Sequence, residues 1–389
     1  MPKIIRITTV PMALHVLLKG QMRYMKQKGF DVEMVSADGR EREAVIQDEG
    51  CPHMIIPMTR KITPFKDIVS LFRLIRLFRK EKPDIVHSHT PKAGLLGMLA
   101  AWIAGVKIRI HTVAGLRFMT SEGFTRKLLV RMEKLTGRFA THIWPNSFSL
   151  LSYINENNLM PDKKLEVIGK GSSNGINLKR YSPGVLVLEK LTAIKENINY
   201  SDKCIYLLCV GRIVKDKGID ELVHAFVRLY EQNDQLRLLL VGDYEDELDP
   251  VTDNSRHILK NHPAIIMTGW REDVEYFMAF SYALIHPSYR EGFPNVVLQA
   301  GAMQCPVICS RIPGNVDIVE HEKTGLLFPV KSTDGLFDQM KQGLENPELL
   351  RQYSHSLRQK IEHYFDQSIV QELIYKKYIQ LLAQATPAA

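Results

Sequence analysis

Short apolar runs alternate with longer amphipathic ones along this chain, and the rhythm starts twice. In the front half the apolar runs are KIIRITT, DVEMVSA, HMIIPM, DIVHSH, KIRIHTV, THIWPNS and KLEVIG. A second series follows: KCIYLLCVG, RLLLVG, AIIMTG, YALIHPS and PVICS. Apolar runs of this length, bounded by turn residues, read as buried strands, and the amphipathic segments between them as helices. Strands alternating with helices build a parallel sheet covered on both faces. The sequence therefore predicts an α/β protein with two doubly wound, Rossmann-like domains.

The length agrees, because 389 residues exceed what one ordinary core accommodates. A Pro-Gly break and a polar stretch separate the two series. They predict a first domain over 1–183, a linker over 184–202 and a second domain over 203–366. Helical runs close the chain at 333–345, 347–364 and 367–385, before a loose end. Ligands of such sheets bind outside the carboxyl ends of the strands, so chemistry is expected in the loops just after them.

The net charge of +8 conceals a split. Residues 1–200 carry 32 basic against 17 acidic residues, and the remainder 19 against 26. Basic surface attracts nucleic acid, anionic membrane or phosphorylated substrates. No nucleic-acid recognition motif accompanies it, so no nucleic-acid partner is expected. The five cysteines form no C-x-x-C pair, and three lie in apolar runs, the pattern of inert thiols in a reducing cytoplasm. The N-terminus lacks the apolar core of a signal peptide. The longest apolar run, 94–106, is shorter than the ~20 residues of a spanning helix. The chain is expected to be cytoplasmic and not to cross a membrane.

Four stretches carry candidate chemistry. In HPSYREGFPNVVLQAG, a loop with Glu291 follows a strand, and Pro294 or Asn295 opens a helix. The amides of the loop and first turn, 292–296, are then open to an anion. Glu291 would repel that anion and is expected to face a neutral part of the same ligand, such as sugar hydroxyls, with Gln299 further along. The alternative is a capping carboxylate and a solvated amide. In VGRIVKDKGIDEL, Arg212, Lys215 and Lys217 crowd a helix N-terminus, where cations oppose the helix dipole. They fit there if phosphates lie between them; otherwise the loop is merely basic surface. His111 ends a strand and is read as projecting toward a cleft or as a hydrogen-bonded structural histidine. His87 and His89 share a strand face without a nearby carboxylate or cysteine, so no metal is expected.

Two further segments matter. IGKGSSNGIN has the wrong glycine spacing for a dinucleotide fingerprint and no helix after it, and is read as a loop closing the first domain. Residues 60–82 hold eight basic against two acidic residues. Leu71, Leu74, Ile75 and Phe78 form one apolar face there, which Phe72 and Leu77 widen. This helix either packs on the sheet with a solvated basic side or lies on anionic lipid.

Taken in order, TTVPMALHVLLKGQ, HSHTPKAGLLG, HTVAGL, NGIN, VGRIVKDKG, LVGD and EGFPNVVLQAG resemble glycosyltransferase family 4 along nearly the whole chain. The resemblance implies the GT-B architecture: two domains facing across a cleft, with the last helix, 367–385, crossing back to the first. It implies a retaining transfer from a nucleotide-diphosphate sugar, often UDP-linked, to a polyprenyl-diphosphate-linked saccharide in capsule, O-antigen or exopolysaccharide synthesis. It also implies no metal or other cofactor. By position, Arg212 and Lys217 match the donor-diphosphate pair, Glu291 the first Glu of the E-x7-E motif, and His111 the histidine near the donor sugar. Glu291 and His111 are thus the expected catalytic residues. Arg212, Lys217, Gly292, Phe293, Pro294, Asn295 and Gln299 are the expected donor-binding residues. The motif's second Glu is Gln299 here, which exchanges a charged acceptor of ribose hydroxyls for a neutral one. With its basic front half, the enzyme is expected to sit peripherally on the inner face of the cell membrane. The alternative is a nucleotide-sugar 2-epimerase on the same architecture.

Overall fold

The computed structural model describes residues 1–246 and 249–385; the loose end expected at 386–389 lies outside them. The chain divides into two compact units, one formed by residues 1–175 with the segment from Gln367 onward, the other by Ile176–Asp366.

The first unit holds the strands β1 (Lys3–Ile7), β2 (Asp31–Ser36), β3 (His53–Ile55), β4 (Ile85–His89), β5 (Ile108–Val113) and β6 (His142–Pro145). All pair in parallel in the order β3-β2-β1-β4-β5-β6. The second unit holds β7 (Ile205–Val210), β8 (Leu236–Val241), β9 (Ile265–Gly269), β10 (Ala283–His286), β11 (Val307–Ser310) and β12 (Leu326–Phe328). Their order, β12-β11-β10-β7-β8-β9, repeats that of the first sheet. Each sheet reverses its direction of growth at one place, between β1 and β4 and between β7 and β10. Such a reversal leaves a crevice at the strand ends, where doubly wound proteins bind ligands.

Several expectations need correction. KLEVIG is not a strand: Leu165 makes a single bridge to Ile143, and Lys164 turns its ammonium onto the carbonyls of Gly137, Arg138 and Ala140. That lysine caps the C-terminus of helix Gly123–Phe139 instead of extending a sheet. The sixth strand of the second sheet is β12, which lies in the apolar run GLLFPV and is not among the expected strands. The single amphipathic segment between KIIRITT and DVEMVSA forms two helices, Pro11–Leu17 and Gln21–Gln27.

The boundary expected at 183 and the linker expected at 184–202 are both displaced. Residues from Ile176 onward already belong to the second unit. Leu188–Asn197 is a helix of that unit, and Tyr181, Ile194 and Ile198 are buried with Phe277, Leu357 and Phe365. Leu191, Ile194 and Ile198, after the Pro-Gly break, carry the apolar helical spacing that seats this helix.

Helix Gln367–Ala385 belongs to the first unit. Val370, Ile374, Tyr378 and Leu381 bury one stripe against Ile4, Phe30 and Trp144. Tyr378 reaches a fully buried guanidinium, Arg6, and lies 2.5 Å from His87 Nδ1. The loop read as closing the first domain does so through Asn174, whose Oδ1 accepts from Gln21 at 3.1 Å and from Gln371 at 3.0 Å.

Candidate active site

The two loops singled out in the second half of the sequence meet at the crevice of the second sheet. Residues 211–218 leave the carboxyl end of β7, and residues 287–294 leave that of the adjacent β10. The approach is close enough to demand glycine. Gly218 has φ +69°, and a Cβ there would lie 2.1 Å from the Pro287 carbonyl oxygen. Further bonds hold the loops together. Tyr289 N–H donates to the Asp216 carbonyl at 2.8 Å, and Arg290 Nη2 reaches Asp216 Oδ2 at 2.6 Å. The Asp216 N–H donates to Asp249 Oδ2 at 2.6 Å, so the turn Lys215–Lys217 is held from three sides.

The Lys217 ammonium is paired directly with Glu291 Oε1. Both side chains are largely sheltered, 21% and 18% exposed. Behind them, buried His286 at the end of β10 places Nε2 3.5 Å from the same carboxylate oxygen. Burial alone would raise the Glu291 carboxyl, but the Lys217 charge and the His286 ring hold it well below the usual carboxylate range. Burial lowers His286, which is therefore neutral near pH 7. Glu291 is thus a fixed anion whose position is set by one cation and one neutral ring.

Helix Asn295–Ala302 begins directly behind this pair, with Pro294 as its cap residue and no side-chain capping bond. The Val297 N–H donates to the Pro294 carbonyl at 3.2 Å, but a proline cap offers no side-chain acceptor to the amides of Asn295 and Val296 and keeps the positive end of the helix available. Gly292, Phe293 and Pro294 are buried. The Phe293 ring packs on Phe365 with centroids 5.1 Å apart, so only its backbone can serve a ligand. Gln299 donates from Nε2 to the Tyr181 hydroxyl at 2.8 Å. Burial raises that phenol to about 12, so it stays neutral.

Arg212 lies apart from this sheltered pair. It is exposed and paired with Glu245. The expectation that Arg212, Lys215 and Lys217 crowd one helix mouth holds in part: Lys215 is exposed, and Lys217 alone meets Glu291.

His111 belongs to the first unit, on β5, in register with Ser88 of β4. Its Nδ1 lies 2.9 Å from Ser88 Oγ, and burial lowers the ring to about 4, so it is a neutral imidazole. The imidazole sits where a Cβ on Gly94 would come within 2.4 Å of Cε1; only glycine at 94 leaves it room. The crevice between β1 and β4 is marked by Thr90, which has φ +78° although it is β-branched. Thr9 holds it, with hydroxyl oxygens 2.8 Å apart and the Thr9 N–H donating at 3.1 Å. His87 and His89 stack at 4.3 Å in the same sheet, and His87 Nε2 lies 2.7 Å from Thr112 Oγ1.

The sequence alone did not single out His286, Tyr181, Arg290 and Glu245. His286 stood in the quoted stretch and was passed over as strand. Its spacing from Ser288, two residues along an extended chain, was the available signal that both face one side.

Comparison with known proteins settles the family. Residues 15–171 match the profile described as "Glycosyl transferase 4-like domain", and residues 192–360 that of "Glycosyl transferases group 1". A capsular polysaccharide biosynthesis glycosyltransferase of Staphylococcus aureus, CapM, is 34% identical over 383 residues, covering 98% of each chain. The chain belongs to glycosyltransferase family 4. It is a glycosyltransferase, an enzyme of bacterial polysaccharide synthesis. An Escherichia coli relative, UDP-Gal:alpha-D-GlcNAc-diphosphoundecaprenol alpha-1,3-galactosyltransferase, is 27% identical over 356 residues, 89% of this chain and 88% of that one. The crystal structure of Anabaena Alr3699/HepE in complex with UDP and glucose superposes with a TM-score of 0.81 at 16% identity, covering 98% of this chain and 100% of that one. Together with the two repeated sheets, this is the GT-B architecture.

Proposed function

We propose that this enzyme transfers a sugar with retention from a UDP-linked donor to a polyprenyl-diphosphate-linked saccharide, working on an anionic membrane surface. The observation that carries the donor half is the Lys217–Glu291 pair at the switch point of the second sheet, in front of an uncapped helix N-terminus. As the sugar–phosphate bond breaks, negative charge grows on the diphosphate and positive charge on the sugar. Lys217, Arg212 and the backbone N–H groups of Gly292, Phe293 and Asn295 stabilise the first, and Glu291 faces the second. Lys217 and Glu291 are charged and held in place before reaction, and the proposal calls for no metal or other cofactor. Neutral His111 is the proposed contribution of the first unit. The E. coli relative, by its name, takes UDP-Gal and a diphosphoundecaprenol-linked sugar, and HepE binds UDP; both support this class of donor. The named relatives transfer sugars, which favours transfer over 2-epimerisation.

The test is a panel of UDP- and GDP-sugars with polyprenyl-diphosphate saccharides, with and without a chelator. A product of the donor's own anomeric configuration, undiminished by EDTA, is expected. An inverted product, dependence on added divalent metal, or an epimer formed from UDP-sugar alone would each overturn it.

Gln299→Glu is expected to lower the donor KM by about tenfold at unchanged reaction type, since a charged acceptor bond is worth ~1.5–3 kcal/mol against ~0.5–1.5 for a neutral one. Tyr181, neutral and 2.8 Å away, can turn its hydroxyl to donate to the new carboxylate. An unchanged KM would remove residue 299 from donor binding.

A further inference from the structure

Helix Pro64–Glu81 buries one stripe, through Leu74, Ile75, Leu77 and Phe78. It carries a second, exposed stripe with its own helical spacing. Phe65 (88% exposed), Ile68 (51%), Val69 (51%) and Phe72 (66%) share one face, Ile68 and Val69 each lying three or four residues from Phe65 and from Phe72. Phe72, expected to widen the buried face, therefore points the other way. The same stripe continues into Arg76, Arg79 and Lys80, all exposed. One solvent-facing line thus changes from apolar to cationic along its length.

A second apolar tip stands nearby. Phe124, 77% exposed, opens helix Gly123–Phe139, whose outer side carries Arg126, Lys127, Arg131 and Lys134. Helix Pro91–Ile103 packs between the two helices. These helices follow β3, β4 and β5, so all three begin at the carboxyl edge of the first sheet. Both tips therefore lie on the edge where the Thr9–Thr90 crevice opens.

The apolar segment is pinned outward. The Lys92 ammonium, 8% exposed, pairs with Asp67 Oδ1 at 2.7 Å and donates to Thr63 Oγ1 at 3.2 Å and Thr59 Oγ1 at 3.3 Å. Arg117 Nη1 reaches the Arg60 carbonyl at 3.5 Å, joining this segment to the turn that precedes Phe124. A buried ion pair with several hydrogen bonds is costly to break, so Phe65 and Ile68 cannot simply fold inward.

We infer that Phe65, Ile68, Phe72 and Phe124 form a wedge that enters the acyl boundary of an anionic bilayer, while the basic continuation of the stripe rests on the headgroups. This rests on the proposed lipid-linked acceptor and deepens it: the enzyme inserts, rather than merely adsorbing through charge. Residues 65–72 rise about 10 Å along the helix axis, so the apolar part of the stripe is about two turns long. Charge selects the occupant. A second copy docked on this face would set its dense positive charge against the same charge, whereas an anionic lipid surface complements it. The wedge then brings the crevice edge to the bilayer, where an acceptor with a membrane-bound tail is presented.

The experiment is flotation of the full-length protein with phosphatidylglycerol/phosphatidylethanolamine vesicles at low salt and at 0.5 M NaCl. Wild type is expected to remain bound at high salt. F65S/F72S/F124S is expected to bind at least tenfold more weakly, with its remainder released by salt; R76E/R79E is expected to lose mainly the salt-sensitive part. F65W is expected to be quenched by brominated acyl chains. The replaced side chains are exposed, and a thermal melt matching wild type checks folding. Full release of wild type by salt, an unquenched F65W, or a triple variant that binds normally would each overturn the wedge. So would a wild-type dimer that the triple variant dissolves, which would make the face a self-association surface. Transfer to a short-chain, water-soluble acceptor separates the two readings. Normal transfer without insertion removes the wedge alone, and insertion without any sugar transfer removes the reaction alone.

Discussion

Lys217→Ala is expected to lower kcat at least about a hundredfold in a protein that still folds, since removing one preorganised donor to developing charge typically costs ~3–4 kcal/mol. The structure adds a second consequence. Lys217 is the cation that holds Glu291 ionised within a site whose burial favours the neutral acid. Without it, Glu291 keeps only the neutral His286 ring at 3.5 Å. Its proton affinity should therefore rise, and an acid limb should enter the pH–rate profile. The wild-type Glu291 lies well below the usual carboxylate range, so it should contribute no limb between about pH 5 and 9. Steady-state kinetics of both proteins across that interval make the measurement. Wild-type kcat in folded Lys217→Ala would remove Lys217 from the reaction. A lowered kcat with an unchanged profile would leave it in the reaction and discard its role toward Glu291. Binding a donor diphosphate sets phosphate oxygens in competition with Glu291 for one ammonium, which couples donor binding to the position of the carboxylate.

Glu133→Gln is expected to stabilise the enzyme at alkaline pH and leave it unchanged in acid. Glu133 lies on the buried stripe of helix Gly123–Phe139, and burial pushes its carboxyl up to about 7 from the ordinary 4.5. Between those values the folded chain holds a proton that the unfolded chain has released. Stability therefore falls as pH rises through that window and levels off above about 7. The full difference corresponds to on the order of 3 kcal/mol. Glutamine keeps the size and removes the ionisation, so chemical denaturation at pH 8 should show a gain of that order, and at pH 4 almost none. Equal effects at both pH values would mean that Glu133 finds compensation when charged. The residue stands on the helix that carries Phe124 and its basic neighbours, yet its replacement changes none of the exposed charge.

How much was legible in the residues follows from the range of the forces involved. Eleven of the twelve strands among the described residues were visible as short, largely apolar runs bounded by turn residues, because a strand covered by helices must be mostly apolar. KLEVIG met the same criterion and still failed. A run of that composition also suits a half-buried connection, and only the place of the helix C-terminus that Lys164 caps decides between them. Residues 184–202 looked like a linker because polar residues and a Pro-Gly pair dominate locally. Their helix is defined by Ile194 and Ile198 finding Phe277 and Leu357, which lie far along the chain. Lys217 and Glu291 could each be named from their loops, but not paired, since 74 residues separate them.

The order of residues by itself determined the two α/β halves, the loops that follow strands and the charged groups within those loops. Each depends on local periodicity and backbone preference, which a short window of sequence contains. Tertiary structure alone decided that β7 and β10 lie side by side, that His286 stands behind Glu291, that only glycine fits beside the His111 imidazole, and that the apolar line from Phe65 to Phe72 faces solvent. Strand order, and which of two apolar stripes a helix buries, are set by the competition of every other segment for the same core, and no window of sequence holds that competition.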